Sequence, residues 1–520
     1  MDNFNSFIQR HFQISLAFFA VGLLFGLIYS INLLGYNLDS TILLPSNMRS
    51  LHISLMLYGF VPLMLSYLPF LLIYKEAGNS QDGLRYLNLY TLFWYIFLIF
   101  MMSALLFGNT RGLAFYDFPY ELNFLLAMAG LFYIVALYKF IQLYKVKPLW
   151  VKVCLRIVFI APFALLILMN PIIGQVESTV TGPHGDNTLG MSLSLIPIYY
   201  LIIKLLNDEP FIARWNALWI IPTVFYFGSV LYRSFVDALT YNQEWFLQYL
   251  TLLYVPLLYR WLKDSKMSNA SFYALLISVG AFLFVDIQGN ILFIPELRWV
   301  FHRNDLVVAH AHVAMGIGVF FMVISMFANH IDALKQKAFY VRYLIGLLGI
   351  FTVLTLNGFV QADFLNISTE PLWILRTLFG GIAISSLLTF VKCNFELTAL
   401  QYYNLLGVLA DGLGGLFLIL LSSFIYPLLG FDFNGSYEYV VFAFVSMTGV
   451  AHYLALKHPT YQHILTLYTV MVRIVVSSVF MALFFNQTLG IVALLIALFD
   501  LVFASAYLIL FSHKERTCNE

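Results

Sequence analysis

Apolar residues run through this chain in long blocks, and short polar breaks separate them. A helix needs about 20 apolar residues to cross the hydrocarbon core of a bilayer, and blocks of that length recur from one end of the sequence to the other. Read with that ruler, the sequence predicts sixteen spans, beginning near residues 12, 49, 84, 121, 152, 186, 215, 243, 270, 305, 339, 370, 403, 437, 462 and 488. Every connection is short, so no soluble domain is expected, and the predicted fold is an all-α polytopic membrane protein. A seam near residues 393–402, "CNFELTALQY", divides twelve spans from four. The expected organisation is therefore a core over residues 1–395 and a further four-span membrane region over 396–520, with no repeat relating the two.

Composition agrees with this reading. Of 520 residues, 61% are hydrophobic and only 10% charged, and the mean hydropathy is +0.86, values that exclude an ordinary soluble domain. A net charge of +1 gives no reason to expect a nucleic-acid partner; the expected surroundings are membrane lipids. Cys154, Cys393 and Cys518 have neither disulfide nor zinc spacing. The first apolar run, about Ile14 to Leu34, has no small-residue cleavage site and reads as a span rather than a signal peptide. Lys and Arg collect in the loops after even-numbered spans: Lys75 and Arg85, Lys139, Lys145 and Lys147, Arg260, Lys263 and Lys266, Lys335, Lys337 and Arg342. Arg298 and Arg303 break the pattern. The positive-inside rule then places both termini on the cytoplasmic side.

The chemistry most at odds with a membrane interior is "LVVAHAHVAMGIGVFFMVISMF", residues 306–327, where His310 and His312 open an apolar run. Polar groups at such depth are costly and are usually functional. Most of the eleven histidines, among them His11, His330, His458, His463 and His513, fall at span ends or in loops and read as interfacial, as does His452 near the inner end of its span. Five gather towards one leaflet instead: His52, His184, His302, His310 and His312. On a helix, positions two apart point about 200° from each other, so His310 and His312 face different neighbours. Two flat cofactors flanking one helix would use such an arrangement, and haem iron takes axial histidine readily. His52 is the other histidine inside a span at matching depth. The alternative is a pair of core histidines bonded to helix carbonyls.

These residues resemble subunit I of the heme-copper oxidase superfamily, most closely the C-family (cbb-type) cytochrome oxidases and the related nitric oxide reductases, over roughly residues 45–395. "NMRSLH" at 47–52 looks like the family's Arg-x-x-His opening of the second span, and "FHRNDLVVAHAHVAMGIG" at 301–318 looks like its tenth span. The resemblance implies a twelve-helix subunit I-like core with about four extra C-terminal transmembrane helices. It implies His52 and His312 as the ligands of a low-spin haem iron and His310 as the ligand of a high-spin haem iron, both haems expected to be haem b. His302 and Asp305 match a polar cluster beside the haem propionates. "NGFVQADF" at 357–364 resembles a Gly-x-x-Gln in span eleven, and "EPLWILRTLFGG" at 370–381 resembles a span-twelve segment whose arginine, here Arg376, approaches the propionates. Read without the family, Arg376 is an arginine snorkelling to the outer interface.

The second metal of the family has no matching ligands. Where one span-six histidine is expected, "GDNTLGM" at 185–191 offers Asp186, with His184 two residues earlier on another face. Where span seven carries an adjacent histidine pair, Val230 and Leu231 stand. Val224 takes the place of a tyrosine, and Gln288 that of a glutamate in span nine. One imidazole and one carboxylate do not reproduce a three-histidine copper site, so copper is expected to be absent.

Three readings follow. The first is a respiratory haem protein in which electrons pass through a bis-histidine haem to a high-spin haem that binds or reduces oxygen or nitric oxide. Its donor would be a partner subunit, cytochrome c or quinol, since the chain has no CxxCH haem-attachment motif. The second is a non-catalytic conduit, gas sensor or partner subunit of a larger complex. The third is a haem-free transporter using Asp286, Asp411 and Asp500 as ion sites. The expected location is a bacterial cytoplasmic membrane.

Overall fold

The computed structural model describes residues 3–35, 43–113, 116–170, 185–211, 217–301, 304–390, 398–419, 422, 435–487 and 491–511. Among them there is no strand, and helices stand at all sixteen expected places. We number these α1 (Asn3–Asn32), α2 (Pro45–Ala77), α3 (Gln81–Leu106), α4 (Asn123–Ile141), α5 (Leu149–Leu168), α6 (Gly185–Leu206), α7 (Ala217–Phe235), α8 (residues 241–263), α9 (Asn269–Leu292), α10 (Asp305–Phe327), α11 (Lys337–Gln361), α12 (Glu370–Ser385), α13 (Ala399–Ile419), α14 (Ser436–Lys457), α15 (Gln462–Phe485) and α16 (Ile491–Phe511). Among the described residues thirteen helices are long and apolar enough to cross a membrane, and the protein is an integral membrane protein of the all-α class.

Three elements depart from the continuous spans that hydropathy predicts. α8 is broken into Tyr241–Tyr249 and Tyr254–Lys263 by a 3-10 turn at Leu250–Leu253. α7 is helical over 19 residues with Pro222 inside it and is not among those thirteen. α2 is itself interrupted, by Gly59–Phe60 and again at Tyr67, each break followed by a proline that starts a new helix. A sliding average of hydropathy counts apolar residues and is blind to such breaks.

The chain forms two compact units, Met1–Tyr36 with Pro45–Asn394, and Asn37–Leu44 with Phe395–Glu520. In the first unit the centre is the C-terminal half of α10. All eight residues from Phe320 to Phe327 are buried, the condition of a helix packed on every side. Phe320 lies between Phe19 of α1, at 4.8 Å between ring centres, and Tyr343 of α11, at 4.7 Å. Phe327 packs on Phe12 at 5.1 Å. These rings fix α10 between α1 and α11, with the histidines at its other end.

The N-terminal end of α10 is set by polar bonds. Asn304 caps the helix by accepting from Leu306 N at 3.0 Å, and its amide donates to the Gly358 carbonyl at 3.0 Å. Leu306 sits where a Cβ on Gly358 would be only 2.8 Å away, so a glycine on α11 lets the two helices close at this point.

Removing the ring at Phe320 leaves a cavity against α1 and α11. Phe320→Ala is expected to destabilise the protein by about 3–5 kcal/mol in equilibrium unfolding in mixed micelles. Phe100→Ala, on a side chain that is 56% exposed, should change little in the same measurement.

Candidate functional site

The first unit brings His52 and His312 together. They lie on α2 and α10, 260 positions apart in the sequence, yet their ring centres are 6.3 Å apart with 23° between the ring planes. Nδ1 of His52 is 2.9 Å from the Gly22 carbonyl of α1, and Nδ1 of His312 is 2.8 Å from the Val308 carbonyl one turn back on its own helix. A carbonyl only accepts, so each Nδ1 carries the ring proton and each Nε2 is left with its lone pair. Neither Nε2 has a hydrogen-bond partner among the described residues. Bonds from the ring to carbonyls are what structural histidines make. Two Nε2 atoms without a partner on neighbouring half-buried rings are not.

Two features of sequence make the approach possible. A Cβ on Gly26 would lie 2.5 Å from His52 Nδ1, so the ring fills the space a side chain on α1 would take. Gly22, one turn earlier, similarly admits Leu55 and Met56 of α2. On α10, residues His312–Val319 form a π-helical stretch. Wider turns of this kind occur frequently where a helix serves a site, and here the stretch begins at His312 itself.

His310 faces elsewhere, as the spacing of the pair requires. Its Nδ1 lies 3.3 Å from the Gln288 side chain of α9, and its Cε1 is 3.5 Å from where a Cβ on Gly289 would stand. The Gln288 amide presents either oxygen or NH2, so this contact fixes the position of the ring and leaves the tautomer open. Nearby on α9, Asp286 is buried and accepts from the Tyr254 hydroxyl at 2.8 Å, and Asn290 reaches the Gln248 carbonyl of α8 at 3.4 Å.

Charged groups border the His52–His312 pair. Arg376 of α12 donates from Nε to Ser30 Oγ at 2.9 Å, and its guanidinium lies 4.2 Å over the Trp373 ring. This fixed, bonded position differs from the snorkelling expected of a lone interfacial arginine. Asp305 accepts from Asn357 Nδ2 at 2.5 Å, and its backbone N–H donates to Gln361 Oε1 at 2.9 Å. Arg376 and Asp305 both lie within electrostatic reach of His312, with opposite signs. His302 and His184 lie outside the described residues, as does the side chain of Asp186.

A metal–imidazole bond is about 2 Å long, so two imidazoles on opposite sides of one metal ion have ring centres about 6 Å apart. The 6.3 Å between the ring centres of His52 and His312 matches that separation, and the donor type, imidazole, is one that haem iron accepts. Hydrogen bonds from Nδ1–H to carbonyls are the usual way a protein orients such ligands. Among the described residues no group of three or more His, Cys, Asp and Glu side chains gathers into a metal cluster.

Ser30, Gly22, Gly26 and Asn357 are parts of the site that the sequence reading passed over. Gly22 and Gly26 carried a legible signal, the small-xxx-small spacing by which membrane helices approach closely. The bond from Arg376 to Ser30 had none. Two residues expected to be interfacial are interior: His11 is 9% exposed and bonded to the Tyr95 hydroxyl at 3.1 Å, and His452 is 0% exposed. In both cases a partner on another helix, invisible along the chain, bonds the ring at Nδ1. Compared with known proteins, the chain matches no family model and no curated sequence.

Gly26→Val places a branched side chain where the His52 ring sits. Solid-state 15N spectra of histidine-labelled protein in bilayers should show two Nδ1–H rings assigned to His52 and His312 by substitution. Gly26→Val should shift the His52 signal and leave that of His310 in place; an unmoved His52 signal would mean the ring is not seated against α1.

Proposed function

We propose that this protein is a haem-binding electron-transfer protein of the respiratory membrane, of the cytochrome oxidase subunit I type. The observation that carries the reading is the pairing of His52 with His312 across 6.3 Å, each ring tied through Nδ1 to a carbonyl and each offering Nε2. In this reading His52 and His312 would hold a low-spin haem iron, and His310, directed to the other face of α10, would hold a high-spin haem iron. A bound haem would supply one-electron chemistry and the binding of a small gas such as oxygen or nitric oxide.

The chain's own residues orient and electrostatically tune that chemistry. The Gly22 and Val308 carbonyls hold the two rings in the tautomer that ligates and raise the basicity of Nε2. Arg376, kept in place by Ser30 and Trp373, would neutralise carboxylates at the haem edge, and a paired arginine of this kind is the sort a membrane tolerates. Asp305, held by Asn357, lies within electrostatic reach of His312 with charge opposite to that of Arg376. Gln288 beside His310 would orient that ring. His302 would join the propionate cluster.

With Val230 and Leu231 where copper ligands are expected, the proposed function does not use a copper–haem pair. It consists of electron transfer from a donor subunit, cytochrome c or quinol to a gas-binding haem. The non-catalytic alternative, a conduit or sensor, shares the same His52–His312 centre. The protein would lie in a bacterial cytoplasmic membrane with both termini inside.

A pyridine hemochrome spectrum with metal analysis of the purified protein tests the reading, which predicts two b-type haems and no copper. A protein without haem would overturn it, and a single haem would leave the conduit. Substitution sharpens the test: His52→Ala and His312→Ala should each abolish the low-spin α-band, whereas His310→Ala should spare it and instead remove carbon monoxide binding to the reduced protein. Loss of the α-band in His310→Ala would reverse the roles of the pair.

A further inference from the structure

The second unit encloses a charge network that the haem reading does not use. Arg473 of α15 donates from one guanidinium nitrogen to both oxygens of Asp411, at 2.7 and 2.8 Å, and from another to Asp500 of α16. Its guanidinium lies 4.0 Å over the Phe503 ring. All three are interior, with Arg473 3% and each aspartate 8% exposed. One arginine against two carboxylates leaves a negative charge over, and an unbalanced charge inside a membrane bundle is strongly disfavoured.

His452 of α14 stands beside this surplus. It is wholly buried, and its ring occupies space opened by Gly407, where a Cβ would come within 2.3 Å. Its Nδ1 is 2.8 Å from Asn404 Oδ1 of α13. The Asn404 amide donates to the Leu400 carbonyl at 2.9 Å, which fixes its oxygen towards the histidine, so Nδ1 is the protonated ring nitrogen. The other nitrogen, Nε2, has no hydrogen-bond partner among the described residues and lies 3.6 Å from Asp411 Oδ2. In a neutral ring, that contact sets a lone pair against a carboxylate oxygen, two acceptors with nothing to share. A single added proton removes both difficulties at once: it bridges the two acceptors and cancels the surplus charge.

We propose that the C-terminal unit is a proton-binding site, holding one exchangeable proton between His452 Nε2 and Asp411. Uptake takes the proton from water and release returns it to water, with no redox partner. The titratable and charged groups gathered around this pair are Arg473 and Asp500, with Tyr403 at 5.9 Å between ring centres from His452 and Tyr507 behind it at 5.7 Å from Tyr403. Asp411 lies on a second π-helical stretch, Val408–Leu413, a local widening that turns its carboxylate within the bundle. Carboxylate–histidine pairs in membrane helices are the usual material of proton relays. The inference is independent of haem.

The test is pH-difference infrared spectroscopy of the full chain in lipid bilayers, with isotope-labelled histidine. Wild-type protein should show one titration step in the Asp411 carboxyl or His452 ring modes. His452→Gln and Asp411→Asn should each abolish it, and Tyr403→Phe should keep it. Where Asp411→Asn does not fold, Asp500→Asn decides, because removing one negative charge weakens proton affinity and should move the step to lower pH. The proposal is overturned if no step is lost in His452→Gln, if Asp500→Asn leaves the step in place or moves it upward, or if the step follows sodium concentration instead of pH.

Discussion

The site in the first unit depends on a steric allowance, the missing side chain at Gly26. Any Cβ there would overlap the His52 ring at 2.5 Å. Without that space α2 could not bring His52 against α1, the Gly22 carbonyl could not hold its Nδ1, and the ring could not meet His312. The stacked rings of Phe19, Phe320 and Tyr343 do the complementary work from the other end of α10, fixing its axis so that His312 stays where His52 arrives. A membrane bundle gains little from burying apolar surface away from lipid, so close packing and interhelical hydrogen bonds carry its specificity. Here both converge on one pair of imidazoles.

Much of this was legible in the sequence, for a physical reason. A bilayer demands long apolar helices with satisfied backbones, so hydropathy alone places sixteen helices, all but α1 starting within a few residues of the expected position; α1 begins at Asn3, well ahead of the expected residue 12. The period of the α-helix likewise separates His310 from His312, and their neighbours lie on opposite sides, α9 for one and α2 for the other. What hydropathy misses is discontinuity. The 3-10 turn at Leu250–Leu253 and the breaks in α2 involve apolar residues and do not lower a running average.

Long-range polar pairing was the other illegible part. Asn404, Asp411, His452, Arg473 and Asp500 are spread over nearly a hundred positions on four helices, and nothing in their spacing announces that they meet. His452 therefore reads as interfacial along the chain and is buried in the fold. The same holds for Arg376, whose partner Ser30 is 346 positions away. A helical period organises residues on one helix face; it carries no information about which other helix that face will meet. Both units thus show one arrangement: an imidazole fixed through Nδ1 by an oxygen, with Nε2 left to act, beside a π-helical stretch.

The orientation of the two rings yields the most direct test of the central claim. Axial imidazoles with nearly parallel planes give low-spin ferric haem a rhombic electron paramagnetic resonance spectrum, whereas perpendicular planes give a highly anisotropic one. With 23° between His52 and His312, the oxidised protein is predicted to show the rhombic low-spin signal, lost in His52→Ala and in His312→Ala. Oxidised protein with no low-spin ferric signal would contradict the account.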